Sequence, residues 1–135
     1  AICAADLALS LRFYTEGLGF ALKRSIDELG SPFDTLMAVP GAKLQVHQIT
    51  CGEIMIELVG YIDAETKTTA QPRPMNQSGF SHMTLAVDDM DAVLARIEPF
   101  GGKSYQETRV DTPYGPLIFC SDPDGTKIEL MTIQA

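Results

Sequence analysis

One histidine and two glutamates are the residues of this chain best suited to chemistry. His82 lies in the stretch Ser81–Val87, where apolar and polar residues alternate, which predicts a strand with His82 on the polar face. Glu57 and Glu129 occupy the same place in two similar segments. One imidazole nitrogen and two carboxylate oxygens suit a divalent ion such as Zn, Ni, Co, Mn or Fe(II). A strand histidine with a distant glutamate is more often a hydrogen-bonded structural residue, so the pattern alone leaves both interpretations open.

The elements that would position these residues are present twice. Asp89 is placed to cap a helix that ends at Gly101-Gly102, and Asp6 and Gly19 match Asp89 and Gly102 at a spacing of 83 residues. The two glutamates are 72 residues apart, so the first copy contains about 11 additional residues, which we place between Ser25 and Gly41. A carboxylate repeated on the face of His82 is costly to bury unless a cation meets it. The duplication therefore favours a metal site.

The remaining elements follow from periodicity and turn residues. We expect a first module at about 1–62, a linker at about 63–78 and a second module at about 79–135. The pattern predicts a helix from Asp6 to about Glu16, and a long loop over residues 109–116 between two strands. Segments 43–49 and 54–61 form a predicted hairpin. Asp122-Pro123-Asp124-Gly125 predicts a tight turn.

Composition limits the class of protein. The chain has 135 residues, of which 45% are hydrophobic, enough for one compact domain with its own core. Its net charge of −8 argues against a nucleic-acid partner. The sequence contains no apolar segment long enough to span a membrane, and three widely spaced cysteines do not suggest a disulfide framework. We expect a soluble cytoplasmic protein, with Cys120 as a small buried hydrophobic residue.

These motifs, in this order, resemble the vicinal oxygen chelate superfamily, also called the glyoxalase/bleomycin resistance protein/dioxygenase superfamily. The resemblance covers the whole chain. It implies an α+β fold in which tandem βαβββ modules form a curved, mostly antiparallel open sheet. The motifs that carry it are Asp6-Leu7, Leu18-Gly19-Phe20, Ile56-Glu57-Leu58, His82 with Asp89, and Asp122-Pro123-Asp124-Gly125 followed by Ile128-Glu129-Leu130.

The resemblance also implies a site and a reaction. Glu57, His82 and Glu129 would bind a divalent metal. The family's first ligand would lie about two residues ahead of Ala1, so either the sequence begins after this ligand or the protein lacks it. Family members with a carboxylate at the position of Glu57 resemble glyoxalase I and the acyl-CoA epimerases, which favours a lyase or isomerase. In that mechanism the metal polarises a small carbonyl substrate and stabilises an enediolate, while Glu129 or Glu57 is the catalytic base. We favour Glu129.

Substrate and assembly are less constrained by the sequence. The resemblance implies a homodimer that binds a small molecule. A metal-free, bleomycin-resistance-like protein that sequesters a drug is one alternative, consistent with the acidic charge, and an extradiol-type dioxygenase is another. His47 is predicted to lie on the helix side of its sheet. The basic candidates for an acidic substrate form no obvious cluster in the sequence: Arg12, Lys43, Arg73 and Arg109.

Overall fold

The computed structural model describes residues 1–68 and 72–132. These residues form two compact units, one ending at Thr68 and the other comprising the described residues from 72 onward. Residues 69–71 of the predicted linker and residues 133–135 of the predicted second module lie outside the described residues.

The first unit is a four-stranded mixed sheet with one main helix. Its strand order is β1-β4-β3-β2, in which β1 is parallel to β4 and the other pairs are antiparallel. The elements are β1 (Ile2–Cys3), α1 (Leu7–Arg12) with a π-helical turn (Phe13–Gly17), β2 (Ala21–Leu29), α2 (Phe33–Leu36), β3 (Leu44–Cys51) and β4 (Ile54–Tyr61).

The second unit repeats this topology. Its strand order is β5-β8-β7-β6, and β5 is parallel to β8. The elements are β5 (Met83–Val87), α3 (Met90–Ile97) with a 3₁₀ turn (Glu98–Phe100), β6 (Lys103–Thr112), β7 (Gly115–Ser121) and β8 (Lys127–Thr132). Each unit is therefore a βαβββ module with an open sheet, and the predicted fold class is confirmed.

Matching aspartates begin the two main helices, as the repeat predicts. The Asp6 side chain accepts a hydrogen bond from the Leu9 amide at 2.9 Å, and Asp89 accepts one from Ala92 at 3.0 Å. These bonds satisfy amides that lack a partner within the helix. Beyond Arg12, the first helix widens into the π-helical turn, which the sequence pattern did not predict.

Each sheet packs one face on its helix. In the second unit, α3 packs on β6 and β8, and the alternating residues Ile118, Cys120, Ile128 and Leu130 are buried. In the first unit, α1 packs on β4 so closely that a Cβ at Gly60 would lie 3.1 Å from the Leu7 side chain. The glutamates alternate with these packed residues and therefore lie on the opposite face of each sheet.

Two connections account for the length difference between the modules. Fourteen residues, 30–43, join β2 to β3 and include α2, whereas Pro113 and Tyr114 alone join β6 to β7. The extra residues thus lie in the region where the repeat places them. The predicted loop over 109–116 was wrong, because β6 extends to Thr112 and β7 starts at Gly115.

No helix among residues 1–68 and 72–132 is long and apolar enough to cross a membrane.

Candidate functional site

Glu129 lies in the middle of β8, between strands β5 and β7. Thr84 is its partner on β5 and Phe119 its partner on β7. The Thr84 hydroxyl donates a hydrogen bond to Glu129 Oε1 at 3.0 Å. This bond restricts the carboxylate to one orientation and leaves Oε2 as the oxygen that Thr84 does not contact.

His82 immediately precedes β5 and is close to the same residues. Its Nδ1 lies 2.8 Å from Ser81 Oγ, and its ring meets Phe119 edge to face, with centroids 5.1 Å apart. Phe119 is also the β7 partner of Glu129. His82 and Glu129 therefore border one patch of the sheet. With Ser81 on Nδ1, Nε2 is the nitrogen suited to bind a metal or a substrate.

Glu57 occupies the equivalent place on β4 of the first unit. It pairs with Gln48 of β3, whose Nε2 donates a hydrogen bond to Glu57 Oε1 at 2.9 Å. Because Ile2 pairs with Leu58, Ala1 corresponds to Thr84, and the equivalent of His82 falls two residues ahead of Ala1. The register of the strands thus agrees with the repeat in the sequence.

The donor set fits a divalent metal in part. His82 and Glu129 supply one nitrogen and carboxylate oxygens on a single patch, and neighbouring hydroxyls orient both side chains. The described residues contain no group of three or more His, Cys, Asp or Glu side chains placed to hold a metal. The complete set of Glu57, His82 and Glu129 stays a prediction.

The hydroxyls of Ser81 and Thr84 and the ring of Phe119 are parts of the patch that the sequence did not identify. Thr84 shares strand parity with His82, which is the signal that could have selected it. Phe119 lies on a different strand, so its position depends on the β7–β8 register.

Two other residues with possible chemistry lie elsewhere. Cys120 is fully buried, and burial raises the pKa of its thiol to about 12, so it is unsuited to act as a nucleophile. His47 pairs with Leu58, which is on the helix side of its sheet, and its Nδ1 lies 2.8 Å from Ser25 Oγ.

Residues 1–130 match the family model for the Glyoxalase/Bleomycin resistance protein/Dioxygenase superfamily. The chain belongs to this superfamily. It is 31% identical over 133 residues to "Uncharacterized protein YaeR" of Escherichia coli strain K12, covering 96% of this chain and 90% of the relative. It is 32% identical over 128 residues to a "Probable lactoylglutathione lyase" of Synechocystis, and the match covers 93% of this chain and 86% of the relative.

A solved structure of a glyoxalase family protein from Bacillus cereus has the same fold. Its TM-score is 0.84 at 18% identity, and the match covers 99% of this chain and 91% of that one. The description of the superfamily names glyoxalases, bleomycin resistance proteins and dioxygenases, so the site residues must decide between these functions.

Proposed function

We propose that this glyoxalase-superfamily protein is a divalent-metal-dependent lyase or isomerase that acts on a small carbonyl substrate. The observation that carries the proposal is the patch containing His82 and Glu129, in which a hydroxyl contacts each side chain. The likeness to a relative named as a probable lactoylglutathione lyase supports the same class of reaction.

His82 and Glu129 would hold the metal, and the family resemblance implies Glu57 as a third donor. When bound, the metal supplies a Lewis acid that polarises the carbonyl oxygen of the substrate. Ser81 would hydrogen-bond to Nδ1 of His82, which leaves Nε2 as the nitrogen that binds the metal. Zn, Ni, Co, Mn and Fe(II) all accept this kind of donor set.

Glu129 is the proposed catalytic base. Thr84 occupies Oε1, so Oε2 would leave the metal and take the proton from the hydroxyl-bearing carbon next to the carbonyl. It would return this proton to the former carbonyl carbon, while the hydroxyl proton passes to the former carbonyl oxygen. The substrate is isomerised without gain or loss of atoms. Gln48 donates a hydrogen bond to Glu57 Oε1 in the same way. Glu57 is therefore the alternative candidate for the catalytic base.

The test is turnover by protein reconstituted with each of the five metals. The substrates are hemithioacetals of methylglyoxal with thiols, and epimeric acyl-CoA thioesters. We expect turnover with at least one metal, and a loss of at least a hundredfold in kcat for Glu129→Gln. Glu107→Gln is the matched control, because it removes an exposed carboxylate from β6 of the same unit.

Two outcomes would contradict the proposal. One is saturable binding of cationic or aromatic drugs without turnover under any metal, which would favour a binding protein. The other is cleavage of catechols with Fe(II), which would favour a dioxygenase.

We also propose that the protein is a homodimer. Light scattering on the peak eluted from a sizing column measures the molar mass and tests this proposal.

A further inference from the structure

A groove of about 520 Å³ lies in the second unit, at the end of the sheet where β6 and β8 begin. One wall is formed by Pro72, Arg73, Phe80 and Ser81, and the floor by the first residues of the two strands. The turn over residues 123–126 forms the other wall. Ser81 is the residue that contacts His82, so the groove adjoins the candidate site.

The charge of this groove is opposite to that of the chain. Arg73, Lys103 and Lys127 line it, and Asp124 is the one acidic residue among the described residues that line it. The whole chain has 10 basic and 18 acidic residues. Within residues 1–68 and 72–132, none of these three cations forms an ion pair. Three cations and one carboxylate in a concave site attract an anion.

Two of the cations lie near a single phenol. Lys127 Nζ lies 3.2 Å from the centre of the Tyr105 ring. The Tyr105 hydroxyl lies 3.1 Å from Ser121 Oγ. The hydrogen bond to Ser121, and then Lys127 and Lys103, lower the pKa of Tyr105, against the effect of burial. The lining of the groove therefore contains two lysines beside a tyrosine ring whose hydroxyl is held by Ser121.

Arg73 fixes the wall of the groove and retains a donor. Its Nη2 donates hydrogen bonds to the carbonyl oxygens of Gln77 at 2.6 Å and Ser78 at 2.8 Å. Its Nη1 is buried and has no hydrogen-bond partner in the part of the chain that the structure describes. An unpaired buried N–H is unfavourable, so the Arg73 guanidinium, which belongs to a residue lining the groove, has an unused hydrogen-bond donor.

We propose that this groove binds a carboxylate or phosphate group of the substrate that reacts at His82 and Glu129. The substrate class rests on the proposed function, whereas anion binding by the groove does not. Lys127 and Glu129 are two residues apart on one face of β8, so their Cα atoms are about 7 Å apart. The groove and Glu129 therefore lie on one face of the sheet, and the substrate is a small carbonyl compound that also carries an anionic group.

The first test is direct binding of inorganic phosphate and of acetate, measured by amide chemical shifts at constant ionic strength. We expect saturable shifts in Gly125, Thr126 and Lys127, and an affinity about tenfold lower for the double variant Lys103→Gln/Lys127→Gln. Lys23→Gln, an exposed lysine of the first unit, is the matched control. Comparison of the two probes distinguishes a phosphate site from a carboxylate site.

The proposal that the groove binds an anion would be wrong if the double variant and the wild type bound phosphate and acetate with equal affinity. It would also be wrong if the chemical shifts did not saturate. The same titration on Glu129→Gln separates the two proposals, because this variant retains anion binding even if the enzymatic proposal fails. Circular dichroism of the double variant confirms that it is folded.

The second test uses methylglyoxal hemithioacetals of 3-mercaptopropionate and of 2-mercaptoethanol, which differ in the carboxylate. We expect Lys127→Gln to raise the KM of the acidic adduct relative to the neutral one by about tenfold. An unchanged KM ratio would contradict a role of the groove in substrate binding, even where phosphate binding is confirmed.

Discussion

The turn that forms one wall of the cationic groove depends on a single buried carboxylate. Asp122 is only 1% exposed. Its Oδ1 accepts hydrogen bonds from the amides of Asp124 at 3.0 Å and Thr126 at 2.8 Å. The Gly125 amide closes the turn by donating to the Asp122 carbonyl oxygen. Replacing Asp122 with alanine leaves two amide donors without this acceptor.

The expected cost follows from these two bonds. A hydrogen bond to a charged acceptor contributes about 1.5–3 kcal/mol. Both amides are partly accessible to water, so the lower end applies, and Asp122→Ala should lower the free energy of unfolding by about 3 kcal/mol. For a chain of this size that corresponds to a fall of roughly 10 °C in Tm. Asp122→Asn retains an acceptor oxygen and should cost about 1 kcal/mol.

Urea denaturation followed by circular dichroism measures these differences. Asp111→Ala is the control, because Asp111 is an exposed residue of the neighbouring strand β6 and should change stability by less than about 0.5 kcal/mol. If Asp122→Ala and Asp111→Ala had the same midpoint and the same slope, the carboxylate would not stabilise the turn, and the reasoning would be refuted.

Further predictions concern the helix caps and the buried thiol. Asp6→Ala and Asp89→Ala should each cost about 1 kcal/mol in urea denaturation, whereas Asp88→Ala, which removes an exposed neighbour of the cap, should cost little. A thiol reagent at pH 8 should label two of the three cysteines in the native protein and reach Cys120 only after unfolding. The pKa of Cys120 is raised from 9.0 to about 12, so its contribution to stability is complete below pH 9 and is lost as pH rises towards 12. Wild type should therefore lose more stability than Cys120→Ala over this range, and parallel pH profiles would contradict the assignment.

Local signals in the sequence were sufficient for most of the fold. The aspartate caps, the glycine stops and the alternation of strand residues occur twice, so the repeat predicted both modules and the position of the insertion. The turn at Asp122 was predicted by its residue types. The length of β6 was not, because polar residues such as Arg109 and Asp111 in an exposed strand have the composition of a loop.

The sequence predicted only part of the candidate site. Strand parity predicted that His82 and Glu129 share one face, and the register places Thr84, two residues after His82, beside Glu129. The cationic groove was missed because Arg73, Lys103 and Lys127 are distant in sequence and come together only when the loop, β6 and β8 pack. Lys103 and Lys127 were not among the basic residues predicted to meet an acidic substrate. The assignment of Glu57 to a shared metal site stays a prediction.

Metal content is the measurement that tests the central claim most directly. Plasma mass spectrometry on protein purified without a tag or chelator should find about one divalent ion per chain, lost in His82→Ala and Glu129→Gln, reduced in Glu57→Gln and retained in Glu107→Gln. The same measurement on a chain with any encoded residues ahead of Ala1 tests the upstream ligand. Absence of metal from every form, even after soaking in Ni, Zn, Mn and Fe(II), would contradict the account.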